Sequence, residues 1–229
     1  MRKHAFFIAG TDTDVGKTLV AAGLLVAAKA RGLTTSALKP VAAGCDATEL
    51  GLRNADALLL QSVITEQLSY EQVNPIALAA AIAPHIAAQQ EKRSLSVSRL
   101  VGLCRGVLHS AQFTLVEGAG GWRVPLNPRE TLADIVRELN LPVILVVGVR
   151  LGCINHALLT VEAIQRDGLQ VAGWVANCIA SDMPAQQENI QALQERIAAP
   201  CLGVVPWLND ASPVSAATYL QLDSLALEA

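Results

Sequence analysis

The stretch GTDTDVGKT, Gly10 to Thr18, combines glycine, lysine and threonine in the manner of a polyphosphate-binding loop. Glycine lets a backbone approach phosphate closely, Lys17 supplies charge for the β and γ phosphates, and the Thr18 hydroxyl is a ligand for Mg²⁺. The standard motif has four residues between its first glycine and the Gly-Lys-Ser/Thr triplet. Here five intervene: Thr11, Asp12, Thr13, Asp14 and Val15. The loop has an enlarged mouth. Its candidate nucleotide-binding residues are Asp14, Val15, Gly16, Lys17, Thr18 and Leu19.

A second cluster supports the first. Phe113 to Val116 reads as a mostly apolar strand, and Glu117 ends it before Gly118-Ala119-Gly120-Gly121. An acid at the tip of a buried strand, beside a phosphate loop, is where a Mg²⁺-holding carboxylate belongs. The small residues Gly118, Ala119 and Gly120 permit close backbone approach to a ligand. No guanine-reading NKxD element stands out, since Asn177 is followed by Cys178. Asp12 occupies the position at which partition ATPases of the ParA and MinD type carry an additional lysine.

These residues need elements to position them. HAFFIAG reads as a strand running into the loop, and KTLVAAGLLVAAKARG as the helix leaving it, closed by Gly32. TTSALK reads as a strand stopped by Pro40, and FTLVEG, PVILVVG, LQVAGWVAN and APCLGVVPW as four more. Helical patterns run near Thr131 to Leu139, Asn155 to Arg166 and Ala185 to Ile197. Several strands lack polar alternation, so helices are expected on both faces of a mainly parallel sheet. The expected fold is a P-loop NTPase-like three-layer α/β arrangement, with residues 1–229 as one domain. Residues 44–94, with Pro75 and Pro84, read as loop-rich with short helical pieces. Ligands of such sheets sit outside the carboxyl ends of the strands.

Composition narrows the partners. Hydrophobic residues make up 52% of the 229, enough for a large core, while aromatics at 3% are too few for base-stacking platforms. With a net charge of −3 and no basic tract, nucleic acid and anionic membrane are not expected partners. The apolar run LPVILVVGV is too short to span a bilayer. Cys45, Cys104, Cys153, Cys178 and Cys201 are scattered without a CxxC, which suits a reduced cytoplasmic protein.

In order along the chain, GTDTDVGKT, KPVAAG, GLRNADAL, LVEGAGGW, LPVILVVGVRLGCINHALLT, GWVAN and GVVPWL resemble the ATP-dependent dethiobiotin synthetase family nearly end to end. The enlarged loop is itself a mark of that family. The resemblance implies a homodimer with active sites at its interface. It implies ATP-dependent carboxylation of 7,8-diaminononanoate (diaminopelargonate) with CO2, through a carbamate and a carbamic-phosphoric anhydride. Dethiobiotin, ADP and phosphate are the implied products.

The resemblance also distributes roles. Lys17 and Lys39 are the catalytic candidates: they neutralise charge as one anion attacks another. Thr18, Asp56 and Glu117 form the implied Mg²⁺ shell. On sequence alone Asp56, near the start of an apolar helix, reads equally as a cap or a solvated residue. Asn177, Cys178, Pro206, Trp207 and Leu208 match the adenine side, although a tryptophan there also reads as core. Thr11, Lys39 and Ala43 match the diamine side. Gly152, Cys153, Ile154 and Asn155 match the segment that receives the substrate carboxylate from the partner subunit. Asp12 fits two readings, attraction of the ammonium groups or bonding to its own loop backbone. Asp14 contacts nucleotide or shapes the loop. The alternative function is a nucleotide switch of the ParA or MinD type.

One departure is Ala43, where the family motif often carries serine. The loss of one hydroxyl is expected to leave turnover intact and alter KM for the diamine. Steady-state kinetics of Ala43→Ser test this, and unchanged constants would show that the side chain at this position is idle.

Overall fold

The computed structural model describes residues 3–225 and 227. Its first strand, β1 (His4–Gly10), follows from a continuous apolar run buried on both faces. Phe6 and Ile8 enter one buried cluster while Phe7 and Ala9 enter the other, on the opposite face. The loop then leads into α1 (Lys17–Ala30), whose small residues allow Val20, Leu24, Leu25 and Ala28 to be buried against the sheet. Gly32, in left-handed backbone at φ +80°, ends it by donating to the Lys29 carbonyl.

After β2 (Thr35–Leu38) the chain leaves the main sheet. It forms β3 (Val41–Ala42), then a hairpin of β4 (Asp46–Thr48) and β5 (Gly51–Arg53). Next come α2 (Ala55–Val63), α3 (Tyr70–Val73), β6 (Ile76–Ala77), which pairs with β3, and α4 (Pro84–Gln90). The sequence reading of this region as loop with short helices missed these strands. Each is two or three residues long, too short for a period-two pattern to register. It also missed α5 (Val97–Arg105), whose buried Val97, Leu100, Val101 and Cys104 have helical spacing over only nine residues.

The remainder alternates as expected: β7 (Phe113–Glu117), α6 (Leu132–Leu139), β8 (Val143–Val149), α7 (Cys153–Arg166), β9 (Val171–Cys178), α8 (Gln186–Arg196) and β10 (Cys201–Val205), and a short helix the sequence reading did not include, α9 (Pro213–Ala217), follows. The main sheet has six strands in the order β10-β9-β8-β1-β7-β2, and all its pairs are parallel. Helices α1, α2 and α9 share one face, and α5, α6, α7 and α8 the other. A third buried cluster, including Val41, Ile76, Leu78, Leu100 and Ile135, anchors the excursion between β2 and β7. Among the described residues no helix is long and apolar enough to cross a membrane.

Two features of this topology create a site. From β1 the chain goes first toward β7 and β2, and later to β8 on the other side, so a crevice opens at the carboxyl end of β1. Within it, Leu38 pairs with Val116, so the next residues, Lys39 and Glu117, emerge from adjacent strands together. The sheet that holds this register rests on large fully buried side chains. Phe113 is one, with its ring centroid 5.7 Å from that of Phe6. Phe113→Ala is expected to destabilise the protein by about 3–5 kcal/mol through cavity formation. Urea unfolding checks this as a lower midpoint at unchanged slope.

Candidate active site

The loop from Gly10 to Thr18 is held from below. Val15 is buried, and its side chain lies against the Cα of Gly148 in β8. The Asn177 side-chain amide, at the end of β9, donates to the Val15 carbonyl at 2.9 Å. Gly16 caps α1 with φ 83°, and no side chain caps the helix. The first-turn N–H groups of α1 are thus left to an anion, on the positive end of the helix dipole. Lys17 is buried beside them and donates to the Asp12 carbonyl at 2.9 Å. Burial lowers the pKa of its ammonium, with Glu117 acting in the opposite direction.

The enlarged mouth has its own scaffold. The Asp12 carboxylate accepts from its neighbour's N–H, that of Thr13, at 2.8 Å, and from Arg150 at 2.5 Å. These two donors, Thr13 first, hold the Asp12 carboxyl below its ordinary value. Of the two sequence readings for Asp12, loop bonding is the one the structure displays. Arg150 was not singled out in the sequence, because a pair separated by 138 positions has no local signal. Asp14 has φ +57°, so it shapes the turn.

Beside the loop lies a compact charged group. The Lys39 ammonium donates to Glu117 Oε1 at 2.5 Å and to Asp56 Oδ2 at 2.7 Å. The Thr18 hydroxyl donates to the same Glu117 oxygen at 2.8 Å. Glu117 is 1% exposed and Lys39 5%. Burial acts to lower the Lys39 pKa, but Glu117 and Asp56 outweigh it and the ammonium is held above its ordinary value. The second Glu117 oxygen, Oε2, is buried with no partner among the described residues. A buried carboxylate oxygen without a donor is an open position for a cation. Two carboxylates and a hydroxyl fit Mg²⁺, whose other ligands come from phosphate and water. Among the described residues no cluster of three or more His, Cys, Asp or Glu exists that would favour a metal caged by protein alone.

The other candidates take up positions around this centre. Gly120 and Gly121 face Thr13 and Thr11 closely, so the loop after β7 lines the mouth. Val205 pairs with Asn177, so Pro206, Trp207 and Leu208 leave the sheet beside Cys178. Trp207 is 52% exposed, which removes the core reading for this ring. Asn177, matched to the adenine side, is buried at the end of β9, and its amide nitrogen donates to the loop at Val15. Ala43 is half-buried and its carbonyl faces the Asn54 amide at 3.5 Å. Helix α7 begins at Cys153, with Gly152 as its uncapped N-cap and Asn155 exposed in its first turn. Burial pushes the Cys104 thiol up to about 12 and raises those of Cys45, Cys178 and Cys201, so no thiolate chemistry is set up at these four.

A parallel sheet flanked by helices, with GKT opening the helix after its central strand, defines a P-loop NTPase-like α/β protein. A family model described as an AAA domain matches residues 4–215. ATP-dependent dethiobiotin synthetases from Cellvibrio japonicus and Pseudomonas aeruginosa are 68% and 58% identical. They cover 98% and 97% of this chain, and the matches take in 99% and 98% of theirs. The chain belongs to the ATP-dependent dethiobiotin synthetase family. The septum site-determining protein MinD of Pyrococcus horikoshii, solved with Mg-ADP, is similar in fold alone. Its TM-score is 0.60 at 16% identity, over 99% of this chain and 94% of that one.

The loop geometry makes Gly16 a sensitive position. A Cβ there would stand 2.1 Å from the Asn177 amide nitrogen, on backbone that disfavours any side chain. Gly16→Ala is expected to weaken ADP binding by about tenfold, since a side chain on left-handed backbone costs about 1–2 kcal/mol and distorts the loop. Isothermal titration calorimetry with Mg-ADP measures the change.

Proposed function

We propose that the protein is an ATP-dependent cyclo-ligase that makes dethiobiotin from 7,8-diaminononanoate, CO2 and ATP, within one α/β domain. The observation that carries this reading is the Lys39 ammonium between Asp56 and Glu117 at the mouth of the phosphate loop, in a member of the dethiobiotin synthetase family.

One amine of the substrate adds to CO2 and loses a proton, giving a carbamate. A carbamate oxygen attacks the γ-phosphorus of ATP, the bridging P–O bond breaks, and ADP departs. The second amine then attacks the carbamate carbon of the mixed anhydride. The C–O bond to phosphate breaks, a proton is lost, and the cyclic urea closes. The difficult encounter is between carbamate and triphosphate, both anionic, and such a transfer depends on positioning and charge neutralisation. Lys17 binds the β and γ phosphates, and Lys39 holds the carbamate against the γ-phosphate. Thr18, Asp56 and Glu117 hold Mg²⁺, which when bound neutralises charge on the phosphate oxygens.

The remaining assignments follow the same reading. Asp14, Val15, Gly16, Leu19, Gly118, Ala119 and Gly120 surround the nucleotide. Asn177, Cys178, Pro206, Trp207 and Leu208 bound the adenine, and the accessible Trp207 ring supports this. Thr11 and Ala43 face the diamine. Gly152, Cys153, Ile154 and Asn155 of a second subunit receive the substrate carboxylate at the start of α7. Exposed Leu151 and Leu159 on that segment support its burial in a homodimer. A cytoplasmic setting suits the absence of disulfides among the five cysteines. The switch reading has only a fold likeness behind it.

The test incubates the protein with the diamine, labelled bicarbonate and Mg-ATP. Labelled dethiobiotin and ADP are expected in equal amounts, and ADP without the cyclic urea would sink the proposal. Lys17→Gln and Lys39→Gln are each expected to lower turnover by about 10²-fold or more. Wild-type turnover in either variant would remove that lysine from the mechanism.

A further inference from the structure

Lys39 and Asp56 lie on different elements, 17 positions apart, and neither belongs to the phosphate loop. Their spacing is set by a buried polar chain that runs through α3. Lys39 sits just past the end of β2 and its following residue is Pro40. Its backbone groups turn instead to the end of α3. The Lys39 N–H donates to the Val73 carbonyl at 2.7 Å, and the Lys39 carbonyl accepts from the Asn74 side-chain amide at 2.7 Å.

The same short helix holds the element that carries Asp56. The Tyr70 hydroxyl donates to Asn74 Oδ1 at 3.0 Å and accepts from the Asn54 N–H at 2.7 Å. Asn54 is the N-cap of α2, its side chain accepting from Ala57 N–H at 3.2 Å, and Asp56 lies in that first turn. Asn54, Tyr70 and Asn74 are all buried, with Asn74 only 2% exposed. The Tyr70 ring is covered by the Arg53 guanidinium, 4.1 Å from its centroid. A reciprocal capping box between Ser69 and Gln72 fixes α3 itself. Packing alone would be served by phenylalanine. The hydroxyl matters here because its two bonds join the strand end that bears the lysine to the helix start that bears the carboxylate.

We propose that Tyr70 and Asn74 are positioning residues, which hold Lys39 and the Asp56 turn at the spacing that catalysis needs. This rests on Lys39 and Asp56 being the site groups described above. Neither Tyr70 nor Asn74 touches a reacting atom. Loss of either bond leaves buried partners unsatisfied, and the two elements relax apart rather than recruit water.

The experiment compares full-length wild type, Tyr70→Phe, Asn74→Ala and Lys39→Gln, at a temperature where near-ultraviolet circular dichroism shows each folded. For Tyr70→Phe the expected result is kcat lowered by about tenfold or more, with KM for ATP within about twofold. The MgCl2 concentration giving half-maximal rate should rise several-fold. ADP affinity in EDTA, measured by calorimetry, should stay at the wild-type value, because the phosphate loop is untouched. A lowered melting temperature with wild-type kcat and wild-type MgCl2 dependence would overturn the proposal. If Tyr70→Phe does not fold, Asn74→Ala, which removes the Lys39 link, decides by the same criteria. Wild-type turnover in Lys39→Gln would instead overturn the site reading on which the proposal stands.

Discussion

The contact between Lys39 and Glu117 is the constraint around which the rest is built. Both groups are nearly sealed from water and lie 2.5 Å apart. An isolated ion in such a place is strongly disfavoured, and deleting one partner of a buried pair typically costs about 3–5 kcal/mol. The pair persists because each member has further partners. Lys39 also reaches Asp56, and Glu117 also accepts from Thr18. One oxygen of Glu117 accepts from both Thr18 and Lys39, while the other has no partner among the described residues. The centre is therefore balanced internally and leaves one buried carboxylate oxygen facing no donor among the described residues.

Register brings this pair together. Parallel pairing of β2 with β7 aligns Leu38 with Val116; β2 ends at that pair and β7 at the next residue, Glu117. The side chains at the two strand ends meet at the rim where the topology also places the phosphate loop. The crevice at β1 supplies the helix N-terminus, and the flanking strands supply the acid and the lysine. A one-residue slip in either pairing would turn the acid or the lysine toward the wrong face.

The additional loop residue finds its physical use in the mouth. Asp12 stands there, its carbonyl accepting from Lys17 and its carboxylate from Thr13 and Arg150. One residue thus connects the phosphate lysine to the segment before α7. Beneath the mouth, Val15 and Asn177 fasten the loop to β8 and β9. The floor is buried, with Asn177 supplying its hydrogen bond, and the rim carries the charged Asp12 and Arg150. The buried attachment and the charged rim are served by different parts of the same nine residues.

By itself the sequence determined the central layers and the phosphate loop. Long apolar runs specify buried parallel strands, and GKT between strand and helix is a local pattern whose chemistry depends on neighbours in the chain. Glu117 was legible for the same reason, since its strand and the small residues after it are contiguous. Asp56 and Lys39 were legible as members of a family pattern. Their mutual contact was not. The tertiary structure alone decided which groups face each other across long separations: Lys39 with Glu117, Arg150 with Asp12, and Asn177 with Val15. It also decided that the 44–94 region is a braced excursion, with α3 as its strut. Hydrophobic periodicity is a property of nearby residues. A hydrogen bond between buried polar groups is set by three-dimensional register, and a linear pattern holds no record of it.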